Sequence, residues 1–312
     1  MYKRDIFLMM KKINVLDLAE FERSGNPLDF YCNTFSRHLQ AHHGAITAPH
    51  KHNFFLIVLF TSGSGLHEID FEKYRVTPGS VFFLAPGQTH YWELSDDIDG
   101  LIFFHSQEFF DLSFTDRSVY DFPFFYSLLN SATLQLNPPD TKRMAALFNE
   151  LLTEYSGKNT FMTTQKLSSL LSLTYIELSR LYLAQGQMEV SKTGIYSEYL
   201  RKLEKLIEEN FRTLKSPAAY AQQLHITVRH LNRLTQESLG KSTTQLITER
   251  VLLEAKRMLV HGSTSLTHIA YDLGYEDYAY FSRLFKKWTG HTPSSFAQQY
   301  QSGRTRNLPP NP

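Results

Sequence analysis

Ala221-Gln222-Gln223-Leu224-His225-Ile226, followed by Leu231-Asn232-Arg233-Leu234 and Gly240, has a counterpart about fifty residues further on. It is Ala270-Tyr271-Asp272-Leu273-Gly274-Tyr275, followed by Phe281-Ser282-Arg283-Leu284 and Gly290. Ala221 and Leu224 match Ala270 and Leu273 at an offset of 49, while Arg233, Leu234 and Gly240 match Arg283, Leu284 and Gly290 at 50. One residue is added in the second turn. A short apolar helix, a tight turn and a second helix with an outward Arg is how a helix-turn-helix reads in sequence. Two in series predict a chain that reads DNA in two places.

The surrounding residues extend this reading. Ser216-Pro217, an N-cap followed by Pro at the first helical position, opens the first repeat. A helix over Tyr199 to Phe211 precedes it, and a long amphipathic helix over Thr244 to His261 joins the repeats. Ser265 to Leu273 and Asp277 to Thr289 supply the second repeat. In the first recognition helix, beginning near Thr227, Leu231 and Leu234 face inward and leave Arg229, Asn232 and Arg233 outward. In the second, Phe281, Leu284 and Phe285 face inward and leave Tyr278, Ser282 and Arg283 outward. Arg suits bidentate reading of guanine and Asn of adenine. Lys286 and Lys287 lie further along, where phosphate is nearer than bases.

Charge follows the same division. Residues 195–306 carry 16 Lys and Arg against 10 Asp and Glu, a net of +6, and the rest of the chain carries −5. A basic C-terminal part is the footprint of a phosphate-facing module. The 312 residues suffice for two domains. No stretch approaches the ~18 apolar residues of a membrane span. The apolar run Ile6 to Met10 is stopped by Lys11-Lys12 and is too short for a secretory signal. A single Cys32 cannot form an internal disulfide. Cytoplasmic location is the expectation.

From about Leu28 to Phe114 the chain alternates apolar and polar residues in short runs, among them Phe54 to Phe60, Gly65 to Phe71, Ser80 to Leu84 and Leu101 to Phe104. Turn signals at Ser62-Gly63, Pro78-Gly79 and Pro86-Gly87 separate them, which predicts an antiparallel sandwich or barrel. Its many aromatics, Phe54, Phe55, Phe60, Phe82, Phe83, Tyr91, Trp92, Phe103 and Phe104, must alternate between the two faces. An apolar pocket with a few polar groups would suit a small organic effector. From Asp140 to Gln185 the period becomes helical, and the Leu167, Leu170, Leu171, Leu178, Leu181 stripe is expected to serve partly at a dimer contact.

Residues 195–300 resemble the DNA-binding domain of the AraC/XylS family of bacterial transcription regulators. The resemblance rests on Arg250-Val-Leu-Leu-Glu-Ala-Lys-Arg-Met-Leu259, Leu266-Thr-His-Ile-Ala270, Leu273-Gly-Tyr-Glu-Asp-Tyr-Ala-Tyr-Phe-Ser-Arg-Leu-Phe-Lys-Lys287 and Gly290-His-Thr-Pro293. It implies two recognition helices in successive major grooves on one DNA face. Arg229, Asn232, Arg233, Tyr278, Ser282 and Arg283 occupy the reading positions. The first repeat departs from the family pattern at Thr235, where Phe is usual, and in its first helix, Ala218-Ala-Tyr-Ala-Gln. Pro49-His50-Lys51-His52 and Pro86-Gly87-Gln88-Thr89-His90 resemble the two cupin motifs. His50, His52 and His90 could supply imidazoles to a metal. Metal cupins add a Glu where Leu56 and Ile57 stand here, so neither a metal nor another cofactor is assigned. His50, His52, His90 and Trp92 are instead assigned to an effector.

The expected architecture is a multidomain α and β chain: an N-terminal double-stranded β-helix, a cupin-like barrel, with two flanking helices, then an all-α tandem helix-turn-helix domain. The expected boundaries are 1–185 for the effector and dimerisation domain, 186–197 for a linker, 198–300 for the DNA-binding domain and 301–312 for a disordered tail. The resemblance implies a transcription regulator, more often an activator, with double-stranded DNA, a small organic effector, RNA polymerase and a second copy of the chain as partners, and no membrane. The rival readings are a metal-dependent cupin enzyme fused to a DNA-binding domain and a ligand-free dimerisation barrel.

Overall fold

Each of the turn signals Ser62-Gly63, Pro78-Gly79 and Pro86-Gly87 separates two strands. Gly79 shows why glycine is needed there: its φ is +87°, and a Cβ would lie 2.6 Å from the carbonyl oxygen of Leu136. The structure, a computed structural model, describes residues 14–21, 29–46, 49–114, 117–125, 131–157, 161–185, 194–261 and 264–305. It divides into two compact units, Asn14–Ser191 and Lys192–Pro312.

The first unit begins with β1 (Asn14–Leu16), β2 (Phe30–Thr34) and helix α1 (Phe35–Ile46). Then come β3 (His50–His52), β4 (Phe55–Ser62), β5 (Gly65–Ile69), β6 (Glu72–Val76), β7 (Ser80–Leu84), β8 (Thr89–Leu94) and β9 (Asp99–His105). Helix α2 (Gln107–Ser113), β10 (Thr133–Gln135), α3 (Pro138–Ser156) and α4 (Thr163–Ala184) complete it. The strands make two five-stranded sheets, β1-β3-β8-β5-β6 and β10-β7-β4-β9-β2. Among the described residues no pairing bridges the sheets, so the cupin-like domain is an open sandwich of two sheets and not a ring closed by hydrogen bonds.

Period-two alternation on the second sheet sets two cores. Phe54, Leu56, Val58, Phe60, Phe82, Ile102 and Phe104 face the first sheet and fill the space between the two. Phe55, Ile57, Leu59, Phe83 and Phe103 face α3 and α4 and meet Met144, Phe148, Leu167, Leu171 and Leu178. The expected division of the aromatics between two faces therefore holds, and the sandwich interior is packed with rings. Leu167, Leu171 and Leu178 are wholly buried in their own unit, with Leu170 and Leu181 packed beside them. That stripe packs toward the sheet through Leu167, Leu171 and Leu178, while Leu170 and Leu181 are half-buried and Leu173 is exposed.

Helices α1 and α2 interrupt the span 28–114 that alternation assigned to strands. Asn33 and Thr34 begin α1 with side-chain bonds to the Thr34 and Arg37 amides, and Phe35 and His38 are its buried positions. Ser106 caps α2 by accepting from Phe109 N at 2.9 Å.

The second unit is all helical: α5 (Gly194–Asn210), α6 (Pro217–Gln223), α7 (Val228–Leu239), α8 (Thr243–His261), α9 (Leu266–Asp272), α10 (Tyr278–Thr289) and α11 (Pro293–Thr305). Ser216, Thr227, Ser265 and Asp277 each cap the helix that follows by accepting a backbone N–H. Two expectations shift at the ends. Helix α5 starts within the expected 186–197 linker, whose residues 186–193 lie outside the described residues. Helix α11 runs to Thr305, into the tail expected to be disordered from 301, and 306–312 lie outside the described residues.

The turn inside each helix-turn-helix needs a left-handed residue. Gly274 supplies it in the second, with φ +79°, and a Cβ there would lie 1.9 Å from the Arg212 carbonyl oxygen. His225 takes the same place in the first, at φ 55°. An L-residue in that region costs about 1–2 kcal/mol. Gly274→Ala is expected to destabilise the second unit by more than about 2 kcal/mol through strain plus the carbonyl clash. His225→Gly is expected to stabilise it slightly, by less than about 1 kcal/mol. Calorimetric unfolding of the full chain distinguishes the two; equal, small effects would contradict the shared role.

Candidate DNA-reading helices and histidine cluster

On α7, Leu231, Leu234 and Thr235 are buried while Arg229 and Arg233 are exposed. On α10, Phe281 and Phe285 are buried, Tyr278 and Ser282 are half-buried, and Arg283, Lys286 and Lys287 are exposed. The amphipathic spacing that packs each helix against its unit thus leaves its cations on the opposite face. Arg233 touches only His230 Nδ1, 3.4 Å from its Nη2. Arg229, Arg283, Lys286 and Lys287 form no ion pair among the described residues.

Among the described residues most cations elsewhere in the unit are matched. Arg250 bonds Glu208 through Nε and Nη2 at 2.6 and 2.7 Å, Arg212 reaches Glu254 at 3.0 Å, and Lys241 reaches Glu249 at 2.8 Å. Lys215 donates to the carbonyls of Phe211 and Arg212 at the end of α5. Burial lowers its pKa to about 8. Unmatched positive charge is therefore concentrated on the outward faces of α7 and α10, where a polyanion would meet it.

Asn232 is placed differently from its neighbours. Its Oδ1 accepts the Thr243 backbone N–H at 3.1 Å, fastening α7 to the start of α8. The second repeat has Pro293 at the position of Thr243 and no N–H to satisfy, which explains why Ser282 stands where the first has Asn.

In the first unit, β3, β8 and β5 bring together residues far apart in sequence. His50 pairs in register with His90, which also pairs with Ile69, and His67 pairs with Trp92. Side chains two apart share a face, so His50, His52, His67, His90 and Trp92 gather on the inner face of the first sheet. Ring centroids of His50, His52, His67 and Trp92 lie 4.4, 5.1, 5.3 and 4.7 Å from that of His90. All four histidines are buried. His67 belongs to the cluster and was not singled out from sequence; only the alternation of Gly65 to Ile69 carries a signal for it.

His52 Nδ1 donates to the Phe54 carbonyl at 2.7 Å, and His67 Nε2 and His90 Nδ1 share a proton at 3.1 Å. Four buried polar atoms there have no hydrogen-bond partner among the described residues: His52 Nε2, His67 Nδ1, His90 Nε2 and Trp92 Nε1. Such groups are rare in folded proteins. Burial, reinforced by neighbouring imidazoles, lowers the His52 pKa to about 3 and holds His67 and His90 well below the usual range. His52, His67 and His90 are therefore neutral at neutral pH. Among the described residues no group of three or more His, Cys, Asp or Glu is arranged to hold a metal ion. Phe55 to Phe60 run as buried strand past the cluster, with Leu56 and Ile57 where a metal cupin has its carboxylate.

A two-sheet sandwich bearing a buried polar cluster, with an all-α unit presenting two equivalent recognition helices, defines a DNA-binding regulator with a ligand-binding domain. Family comparison agrees over both parts: residues 34–171 match the AraC-like ligand binding domain and residues 220–299 match a helix-turn-helix domain. The chain belongs to the AraC family of transcription regulators. It is similar to the HTH-type transcriptional activator RhaS of Escherichia fergusonii, 22% identical over 258 residues that cover 80% of this chain and 87% of that protein. The HTH-type transcriptional activator RhaR of Mannheimia succiniciproducens is 23% identical with the same coverage. Among solved structures, ToxT from Vibrio cholerae O395 is 16% identical, covering 86% of this chain and 97% of that one at a TM-score of 0.44. No helix described is long and apolar enough to cross a membrane.

The buried imidazoles make stability depend on acid. Unfolding exposes them to protonation near pH 6.5, whereas the folded unit keeps His105 neutral down to about pH 4 and His52 to about pH 3. Their contribution is complete above pH 6.5 and is lost as pH falls toward those values, at about 1.4 kcal/mol per pH unit for each histidine. Urea midpoints of the first unit's transition should fall progressively between pH 6.5 and 4, less steeply in His52→Gln. A midpoint unchanged across that range would refute burial of neutral imidazoles.

Proposed function

We propose that this regulator binds specific double-stranded DNA through α7 and α10, with Arg229, Arg233 and Arg283 on base edges, Tyr278 and Ser282 beside them, and Lys286 and Lys287 on phosphates. Asn232 holds α7 in place through Thr243 and offers its remaining amide hydrogens to the groove. The observation that carries this reading is the set of unmatched cations on equivalent faces of two helices, in a unit where Arg212, Arg250 and Arg257 are paired. Base readers of this kind give about 1–3 kcal/mol of discrimination each.

His50, His52, His90 and Trp92, joined by His67, form the polar side of an effector site in the sandwich, supported by the unpartnered atoms of His52, His67, His90 and Trp92. A small organic effector that satisfies those atoms favours one arrangement of the chain, and only its differential affinity can drive a change. Activation, through contact with RNA polymerase, is the favoured sign because the relatives named above are activators. The protein acts in the cytoplasm, without catalysis of its own, as a homodimer whose paired recognition units gain from effective concentration.

Selection from a randomised DNA pool should yield one motif with two conserved blocks. Arg283→Ala should relax base preference in one block. Lys286→Ala should weaken every sequence alike and reduce the slope of log affinity against log salt by about 0.9. Identical behaviour of the two variants would sink the division into base and phosphate contacts.

A further inference from the structure

The two recognition helices match in frame and differ in charge. Helices α7 and α10 are each 12 residues long, lie in register at an offset of 50 and stop at a left-handed glycine, Gly240 and Gly290. Leu231 and Thr235 are buried where Phe281 and Phe285 are, and Arg233, Gln236 and Glu237 are exposed where Arg283, Lys286 and Lys287 are. The faces turned away from the core therefore correspond position by position. The last turn of α10 carries two cations, Lys286 and Lys287, and the last turn of α7 carries none; Gln236 and Glu237 stand in their places. Counting Lys, Arg, Asp and Glu, α10 has three cations, a net of +3, while α7 has two cations and one carboxylate, 2 − 1 = +1.

Among the described residues the exposed Glu237 carboxylate forms no ion pair or hydrogen bond. Arg233, one turn before it, reaches back to His230 Nδ1 instead. The C-terminal end of a helix is also the unfavourable end for an anion, whereas Lys286 and Lys287 sit where the dipole favours a cation. Neither pairing nor helix stability accounts for a carboxylate there. What it faces is whatever α7 docks on. With α7 and α10 on DNA, their first turns enter the groove and their last turns lie nearer the phosphates. A lysine at that level attracts any duplex, and a glutamate repels any duplex.

We propose that Glu237 makes docking of the first repeat conditional on sequence. Its carboxylate offsets the general phosphate attraction of Arg229 and Arg233, so that α7 stays in the groove only where those two arginines meet their bases. Lys286 and Lys287 give α10 a hold that does not depend on sequence. Removing an attraction common to all duplexes leaves base contacts to decide whether the first repeat docks. The inference rests on the assignment of α7 and α10 to DNA and goes beyond it by giving the two repeats unequal tasks.

Footprinting and fluorescence titration of the full chain test it, on the duplex selected from a random pool and on the same duplex with the α7 block scrambled. Two protected patches are expected on the selected duplex and one, that of α10, on the scrambled one. Glu237→Lys should restore the missing patch on the scrambled duplex and raise affinity for it at least about fivefold. It should also steepen the slope of log affinity against log salt by at least about 0.9. Glu237→Gln should move all three readings the same way by less. Thermal midpoints of the free variants should stay at that of the parent chain, because the side chain is exposed and unpaired. Glu209→Lys, an equal change of charge on α5, should leave one patch on the scrambled duplex. Two patches there in the parent chain, no gain in Glu237→Lys, or the same gain in Glu209→Lys would each overturn the proposal. No patch on the selected duplex would instead count against the assignment of the helices to DNA, and the proposal would fall with it.

Discussion

Arg250 fixes the frame on which both recognition helices are carried. It lies on α8, the helix between the two repeats, with its side chain only 6% exposed. Its guanidinium sits 3.9 Å from the centre of the Phe211 ring and bonds both carboxylate oxygens of Glu208, so that α8 is fastened to α5. Glu254, one turn along, takes Arg250, Arg212 and Arg257. Those three cations hold its pKa below the carboxylate value against the opposing effect of burial. Glu208 is about half exposed, so its pairing is partly screened and serves more to orient than to stabilise. With α8 held, α7 is tied to its start through Asn232 and Thr243, and α9 follows its end. The cations left over are those pointing away.

The first unit solves a different problem with the same economy of pattern. Alternation on β4, β7 and β9 sends every second ring between the sheets and the others toward α3 and α4. The inter-sheet face of the first sheet, built from β3, β5 and β8, carries the histidines instead. His52, His67 and His90 are held there neutral, each with a ring nitrogen that has no hydrogen-bond partner among the described residues.

Much of the second unit was legible because its signals are local. Caps at Ser216, Thr227, Ser265 and Asp277, the left-handed Gly274 and the repeat of Arg233 in Arg283 all act within a few residues. The strands were legible from period and from Gly turns. Helices α1 and α2 were not, because Phe35, His38 and the Phe109-Phe110 pair sit in a stretch whose aromatics read equally well as strand. His67 was missed because its neighbours in the cluster come from β3 and β8, and cross-strand register is not written in any one segment. The leucines of α4 carry a related ambiguity: an apolar stripe says that a face is covered but not by what. Asn232 looked like a base reader from its outward spacing, and its bond to Thr243 N–H emerged only when the two helices were seen together.

The central claim is that both repeats engage one DNA face together. Hydroxyl-radical footprinting of the full chain on a DNA selected from a random pool tests it most directly. The account predicts two protected patches on the same face, about 10 base pairs apart, with Arg283→Ala weakening one patch and Arg233→Ala the other. A single patch, or two that disappear together with either substitution, would contradict it.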